Sequence, residues 1–207
     1  MLPVYALRIA DNTDGVNVIS VVTDPAIMES CMKFDKQEKL ELKLETNDEK
    51  QELFGPCVVP DLLIYRRDPR TNFEYYVVFE KDTIAELEKK FFKDGFNFNV
   101  SLEHSGDNIS GYVFESFLKN KELGIDPEGW DVEDGTWFIR MRIDDKDAWN
   151  RIKEEGLSGF SVECLMQGVE VGEIFSKQNE PEDVGSDKKS DLIDRLLKGE
   201  FESKRSN

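Results

Sequence analysis

The chain contains one histidine, His104, so any chemistry that needs an imidazole must use it. It lies in Asn99-Val100-Ser101-Leu102-Glu103-His104-Ser105-Gly106-Asp107, where an apolar strand ends in a polar loop with a glycine. A strand end holds a side chain firmly and leaves it open to substrate, as a general base requires. A second segment, Gly156-Leu157-Ser158-Gly159-Phe160-Ser161-Val162-Glu163-Cys164, sets two serines among small residues ahead of a strand. Its glycines let the backbone turn tightly and approach a ligand closely. Ser161 and Glu163 are two apart and so share a face of that strand. Nucleophilic catalysis by a Ser–His pair would join His104 to Ser158 or Ser161. The plain alternatives are a surface-loop histidine and a turn serine.

One histidine rules out a His-based metal cluster. Cys31, Cys57 and Cys164 are odd in number and far apart, with no CxxC pair, so neither zinc, redox chemistry nor a disulfide framework is expected. They read as buried thiols in a reducing cytoplasm, with Cys164 near enough to line the site. No cofactor is expected.

The elements that must position these residues are mostly strands. Val4 to Ile9 and the β-branched run Val16 to Val22, closed by Asp24-Pro25, are the first two. Lys36 to Lys50 alternates around Leu40, Leu42 and Leu44 and then becomes polar, which suits a strand and exposed loop; residues 36–52 read as an exposed connector. Pro-Cys-Val-Val-Pro at 56–60 suggests an edge strand broken by prolines. Asp68 to Asn72 is a turn ahead of the strand Glu74 to Phe79. Asp82 or Thr83, with Glu86 completing a capping box, opens a helix carrying Ile84, Leu87, Phe91 and Phe92 and ending at Gly95. Strands Phe96 to Leu102, Tyr112 to Leu118 and Thr136 to Ile143 follow, the last two separated by an acidic loop around Pro127. A second helix spans Lys146 to Glu155, burying Trp149 and Ile152 and stopping at Gly156. Phe160 to Met166 is the last core strand. The expected fold is α+β: one β-rich domain over residues 1–175, a closed or partly open barrel flanked by two or three helices. Residues 176–207 form a polar, acidic tail in which Leu192, Ile193, Leu196 and Leu197 could make a short amphipathic helix.

At 207 residues, 39% hydrophobic and with 14 Phe, the chain can build a packed core,. No apolar run approaches the roughly 18 to 20 residues that cross a bilayer, and no signal peptide is evident. A soluble protein without membrane contact is expected. A net charge of −17, with no basic cluster larger than Arg66, Arg67 and Arg70, argues against a nucleic-acid partner.

Together, Leu102-Glu103-His104, the helix around Trp149 and Gly159-Phe160-Ser161-Val162 resemble the bacteriophage prohead (capsid maturation) serine proteases, which share a fold with the herpesvirus assemblins. Val18-Ile19-Ser20-Val21-Val22-Thr23-Asp24-Pro25-Ala26 is similar to that family's Val-Ser-x-Val-x-x-Pro-Ala element. In many relatives the element follows the nucleophile; here it precedes it, as in a permuted branch. The resemblance makes Ser161, not Ser158, the nucleophile and His104 its base. A Ser-His-His triad is excluded by the histidine count. Relatives often place an acid just before the element, but Val18 stands there, with Asn17 beside it facing the other way. Glu163, on the face of Ser161, is therefore the expected third group, since Glu103 points away from its neighbour His104. The resemblance implies an endopeptidase acting on scaffold and major capsid precursors, and on its own tail, inside the assembling prohead in the host cytoplasm. It also implies a homodimer formed on concentration or assembly. The alternatives are an inactive structural component of the virion with this fold and an acidic adaptor docking through its terminal helix.

Overall fold

The computed structural model describes residues 2–25, 43–68 and 70–174. Cys31, residues 36–42 of the 36–52 connector and the amphipathic stretch at 192–197 lie outside the described residues. Among the described residues the strands are β1 (Leu2–Arg8), β2 (Gly15–Val22), β3 (Glu45–Asn47), β4 (Glu52–Val58), β5 (Ile64–Arg67), β6 (Glu74–Val78), β7 (Val100–Leu102), β8 (Gly111–Leu118), β9 (Trp137–Ile143), β10 (Gly159–Leu165) and β11 (Gln167–Ile174). The helices are α1 (Lys81–Lys93) and α2 (Lys146–Glu154).

The architecture is α+β, as expected, but no barrel closes. The strands form three sheets, ordered β11-β1-β6-β5, β10-β2-β7 and β3-β4-β9-β8. A barrel needs one uninterrupted ladder around its circumference, and the ladder breaks at a corner. β1 pairs antiparallel with β11 from Leu2↔Ile174 to Arg8↔Gln167, and β2 pairs with β10 from Gly15↔Leu165 to Val22↔Gly159. Residues 9–14 on one side of this corner face only Met166 on the other, so the two strand pairs diverge into different sheets. Register shifts in the β1–β11, β2–β10, β4–β9 and β8–β9 pairs bend the strands further,.

The core explains why the helices sit where they do. Ile84, Leu87 and Phe91 of α1 are buried, and the Phe91 ring meets Trp137 of β9 edge-on at 5.6 Å. Each such side chain contributes about 1.5–3 kcal/mol relative to exposure. α2 buries Ala148, Trp149 and Ile152, and the Asp145 carboxylate accepts from the Asp147 and Ala148 N–H groups at its start,.

Four expectations are corrected. α1 begins at Lys81 after an extended Glu80 that makes no side-chain cap, and Thr83 is buried in the first turn. The strand β6 runs almost directly into the helix, so the cap falls ahead of Asp82 and Thr83. The expected strand Phe96 to Leu102 starts as a 3-10 turn at Phe96–Phe98, following left-handed Gly95, and is extended only over β7. β4 is no edge strand, because β3 and β9 flank it. Pro56 fits because β3 pairs only as far as Phe54 and the β4–β9 register shifts at Pro56,. Finally, β10 is followed by β11, whose Val-Glu-Val alternation is diluted by Gly168 and Gly172,.

Candidate active site

Register decides which residues meet. β10 and β2 pair Ser161 with Ser20, and β2 and β7 pair Ser20 with Ser101. Three serines therefore lie in one row across the sheet, on one face. The next residue on that face of β10 is Glu163, which pairs with Val18. Val18, the residue just before Ile19-Ser20-Val21-Val22, is thus directly opposite this glutamate. Ser20 and Ser101 are 0% and 1% exposed, and Ser161 is 8% exposed.

The turn after β7 brings the imidazole over this row. Ser105 N–H donates to the Leu102 carbonyl at 3.0 Å, closing a turn whose central residues, Glu103 and His104, have φ of 50° and 51°. Two consecutive left-handed positions normally call for Asn-Gly or Asp-Gly; each costs a side chain about 1–2 kcal/mol. The surroundings hold the turn in place. Glu103 N–H donates to the Val21 carbonyl at 3.0 Å, and the Glu103 carboxylate accepts from Thr23 N–H at 2.6 Å. Strain held by neighbouring contacts is characteristic of functional sites.

In this position His104 Nε2 lies 3.0 Å from Ser161 Oγ, and Nδ1 lies 2.9 Å from Glu163 Oε1. An ionised glutamate takes the Nδ1–H bond, leaving Nε2 bare to accept from the serine hydroxyl. Ser20 O–H donates to the same Glu163 Oε1 at 3.1 Å. The Ser20 oxygen also lies 3.2 Å from His104 Nδ1 and 2.6 Å from Ser101 Oγ. The His104 and Glu163 side chains are 42% and 39% exposed. At that exposure the pair adds little to stability, so its significance is geometric.

Gly159 is fixed by a close approach. A Cβ there would fall 2.2 Å from Cγ of Pro25. The Asp24-Pro25 turn thus rests directly on the start of β10. Ser158 is held by its backbone, donating to the Val22 carbonyl and accepting from Leu44 N–H. The structure brings together Ser161, His104 and Glu163. Ser20 and Ser101 are the members of the cluster that sequence reasoning did not place there. The signal was available: a serine amid Val and Ile in a buried strand must find a hydrogen-bond partner.

A cleft of about 210 Å³ borders β10, lined by Cys57, Arg66, Phe160, Ser161, Val162 and Cys164 among others. Cys164 lines this cleft together with Ser161. Burial pushes its thiol pKa up, with Arg66 opposing, and burial pushes Cys57 up as well. Among the described residues no helix is long and apolar enough to cross a membrane.

A hydroxyl, an imidazole and a carboxylate linked in this order form the constellation of a serine hydrolase. Residues 39–170 match the family model described as "Putative phage serine protease XkdF", and the chain belongs to that family. The matched span contains His104, Ser161 and Glu163, whereas Ser20 and Pro25 precede it. Comparison with curated proteins and with solved structures gives no match.

Proposed function

We propose that the protein is a serine endopeptidase in which Ser161 is the nucleophile, His104 the general base and Glu163 the group that orients the imidazole. The observation that carries this reading is the continuous line from Ser161 Oγ to Nε2 at 3.0 Å and from Nδ1 to Glu163 at 2.9 Å. Such a link fits activation of the nucleophile by its base. As Oγ attacks a peptide carbonyl, its proton passes to Nε2. The imidazolium so formed is stabilised by Glu163. Nε2 then gives the proton to the departing amine, leaving an acyl-serine. Water, deprotonated by the same nitrogen, attacks the ester and releases the acid and the free hydroxyl.

Membership of a phage serine protease family, together with the acidic surface, supports protein substrates over nucleic acid. We propose scaffold and major capsid precursors, cleaved during prohead maturation in the host cytoplasm, with the protein's own C-terminal tail as a further substrate. The test is co-expression of the protein with these precursors. Ser161→Ala should abolish cleavage, a loss on the order of 10⁶-fold in turnover, and His104→Ala should do nearly the same. Ser158→Ala should cleave normally, and the tail should lose mass only when Ser161 is present. Full cleavage by Ser161→Ala would end the proposal. An inactive structural role predicts no Ser161-dependent product in any arm, with assembly unaffected by the substitution.

A further inference from the structure

Two buried hydroxyls lie beneath the Ser161–His104–Glu163 line, and the proton transfer described above uses neither. Ser20 and Ser101 interrupt strands built mainly from buried apolar residues. A buried hydroxyl costs free energy unless it is bonded. Ser20 spends its one proton on Glu163 Oε1 at 3.1 Å. Its contact with Ser101 Oγ at 2.6 Å must then be one in which Ser101 donates,. The polar chain therefore runs from Ser101 to Ser20 to the Glu163 carboxylate, which also accepts Nδ1–H from the other side.

This arrangement restrains a side chain that is otherwise loosely held. A part-exposed glutamate has several rotamers, and fixing one costs conformational entropy. The Ser20 hydroxyl favours the rotamer whose carboxylate faces the ring. Its oxygen, 3.2 Å from Nδ1, also offers the ring proton a second acceptor on that side. Building on the protease reading, we infer that Ser20, backed by Ser101, is a positioning residue. It clamps Glu163 so that His104 is held as the Nδ1–H tautomer with Nε2 open to Ser161. Ser20 meets the ring at Nδ1, not at the Nε2 that exchanges the proton with Ser161.

The single histidine makes the test direct, because ¹⁵N-histidine labelling of the full chain reports one imidazole. Wild type should show the Nδ1–H tautomer, and Ser20→Ala a mixture of both. With a cleavable peptide, Ser20→Ala should lower kcat about ten- to a hundredfold at unchanged KM, as expected when a hydrogen bond to a charged group is lost. In a Glu163→Ala background, where Ser20 has no acceptor to hold, the same substitution should cost little more, because Ser20 acts through that side chain. An unaltered tautomer in Ser20→Ala, or an equal cost in both backgrounds, overturns the inference. If Ser161→Ala still cleaves, the protease reading fails, and the tautomer measurement judges the clamp by itself. If Ser20→Ala melts early, Ser20→Ala/Ser101→Ala removes both hydroxyls without orphaning either. The same two measurements then decide.

Discussion

Replacing Glu163 by glutamine keeps the shape of the side chain and its ability to accept from Nδ1–H and from Ser20, but removes its charge. The charge matters only while His104 carries an extra proton, in the transition state of acylation and again of deacylation. At the Nδ1–Oε1 separation of 2.9 Å, the pair's attraction is about 1.4 kcal/mol in bulk water and about 6 kcal/mol at an effective permittivity of 20. With the side chains 42% and 39% exposed, water keeps the value in the lower part of that range. A loss of about 2.7 kcal/mol corresponds to about a hundredfold in rate. The expected result is therefore a kcat roughly a hundredfold lower at unchanged KM, far milder than Ser161→Ala. Initial rates on a cleavable peptide, at low and high salt, measure it. High salt should narrow the gap between wild type and variant, since an exposed pair is screened. A Glu163→Gln protein within twofold of wild type, or as inactive as Ser161→Ala, would refute this account of the carboxylate.

Two further outcomes follow from local geometry. Gly159→Ala should lower stability by about 1–3 kcal/mol, as overpacking does, because its Cβ would meet the Pro25 ring at 2.2 Å. Chemical denaturation measures this, and a change below 0.5 kcal/mol, roughly that of a neutral surface substitution, would contradict the packing described. Burial raises the Asp61 carboxyl pKa above its ordinary value of 3.8, with Lys81 opposing. A carboxyl raised on folding binds protons more tightly in the native state, so stability is lost as pH climbs through the raised value. Asp61→Asn, which also tolerates the left-handed backbone at φ 56°, should therefore raise Tm at neutral pH and leave it unchanged well below pH 3.8. An equal Tm difference at both pH values would contradict this assignment.

The sequence made some of this legible because local signals were strong. The α2 periodicity, the Gly156 stop and the β-branched run of β2 each depend on residues close together in the chain. The shared face of Ser161 and Glu163 follows from the two-residue repeat of a strand, and the strand end of His104 from an apolar run stopping in a polar loop. What could not be read was register. Ser20 and Ser101 look like ordinary strand residues until β2 and β7 pair in parallel across 81 residues. The expected barrel failed for a related reason. Whether ladders join depends on residues 9–14 facing one residue across the corner, and no single segment states that count. The left-handed turn at Glu103 and His104 gave no glycine or asparagine signal, because tertiary contacts hold it.

The three-strand sheet β10-β2-β7 also has a consequence for biosynthesis. Its strands come from the first, middle and last parts of the described chain, and Ser20 and Glu163 are 143 residues apart. A ribosome must therefore extrude β10 before hydroxyl, ring and carboxylate can meet. Fragments that end between His104 and Ser161 contain the histidine and the serine floor but not the hydroxyl of Ser161. The line from hydroxyl to ring to carboxylate is thereby completed only late in synthesis.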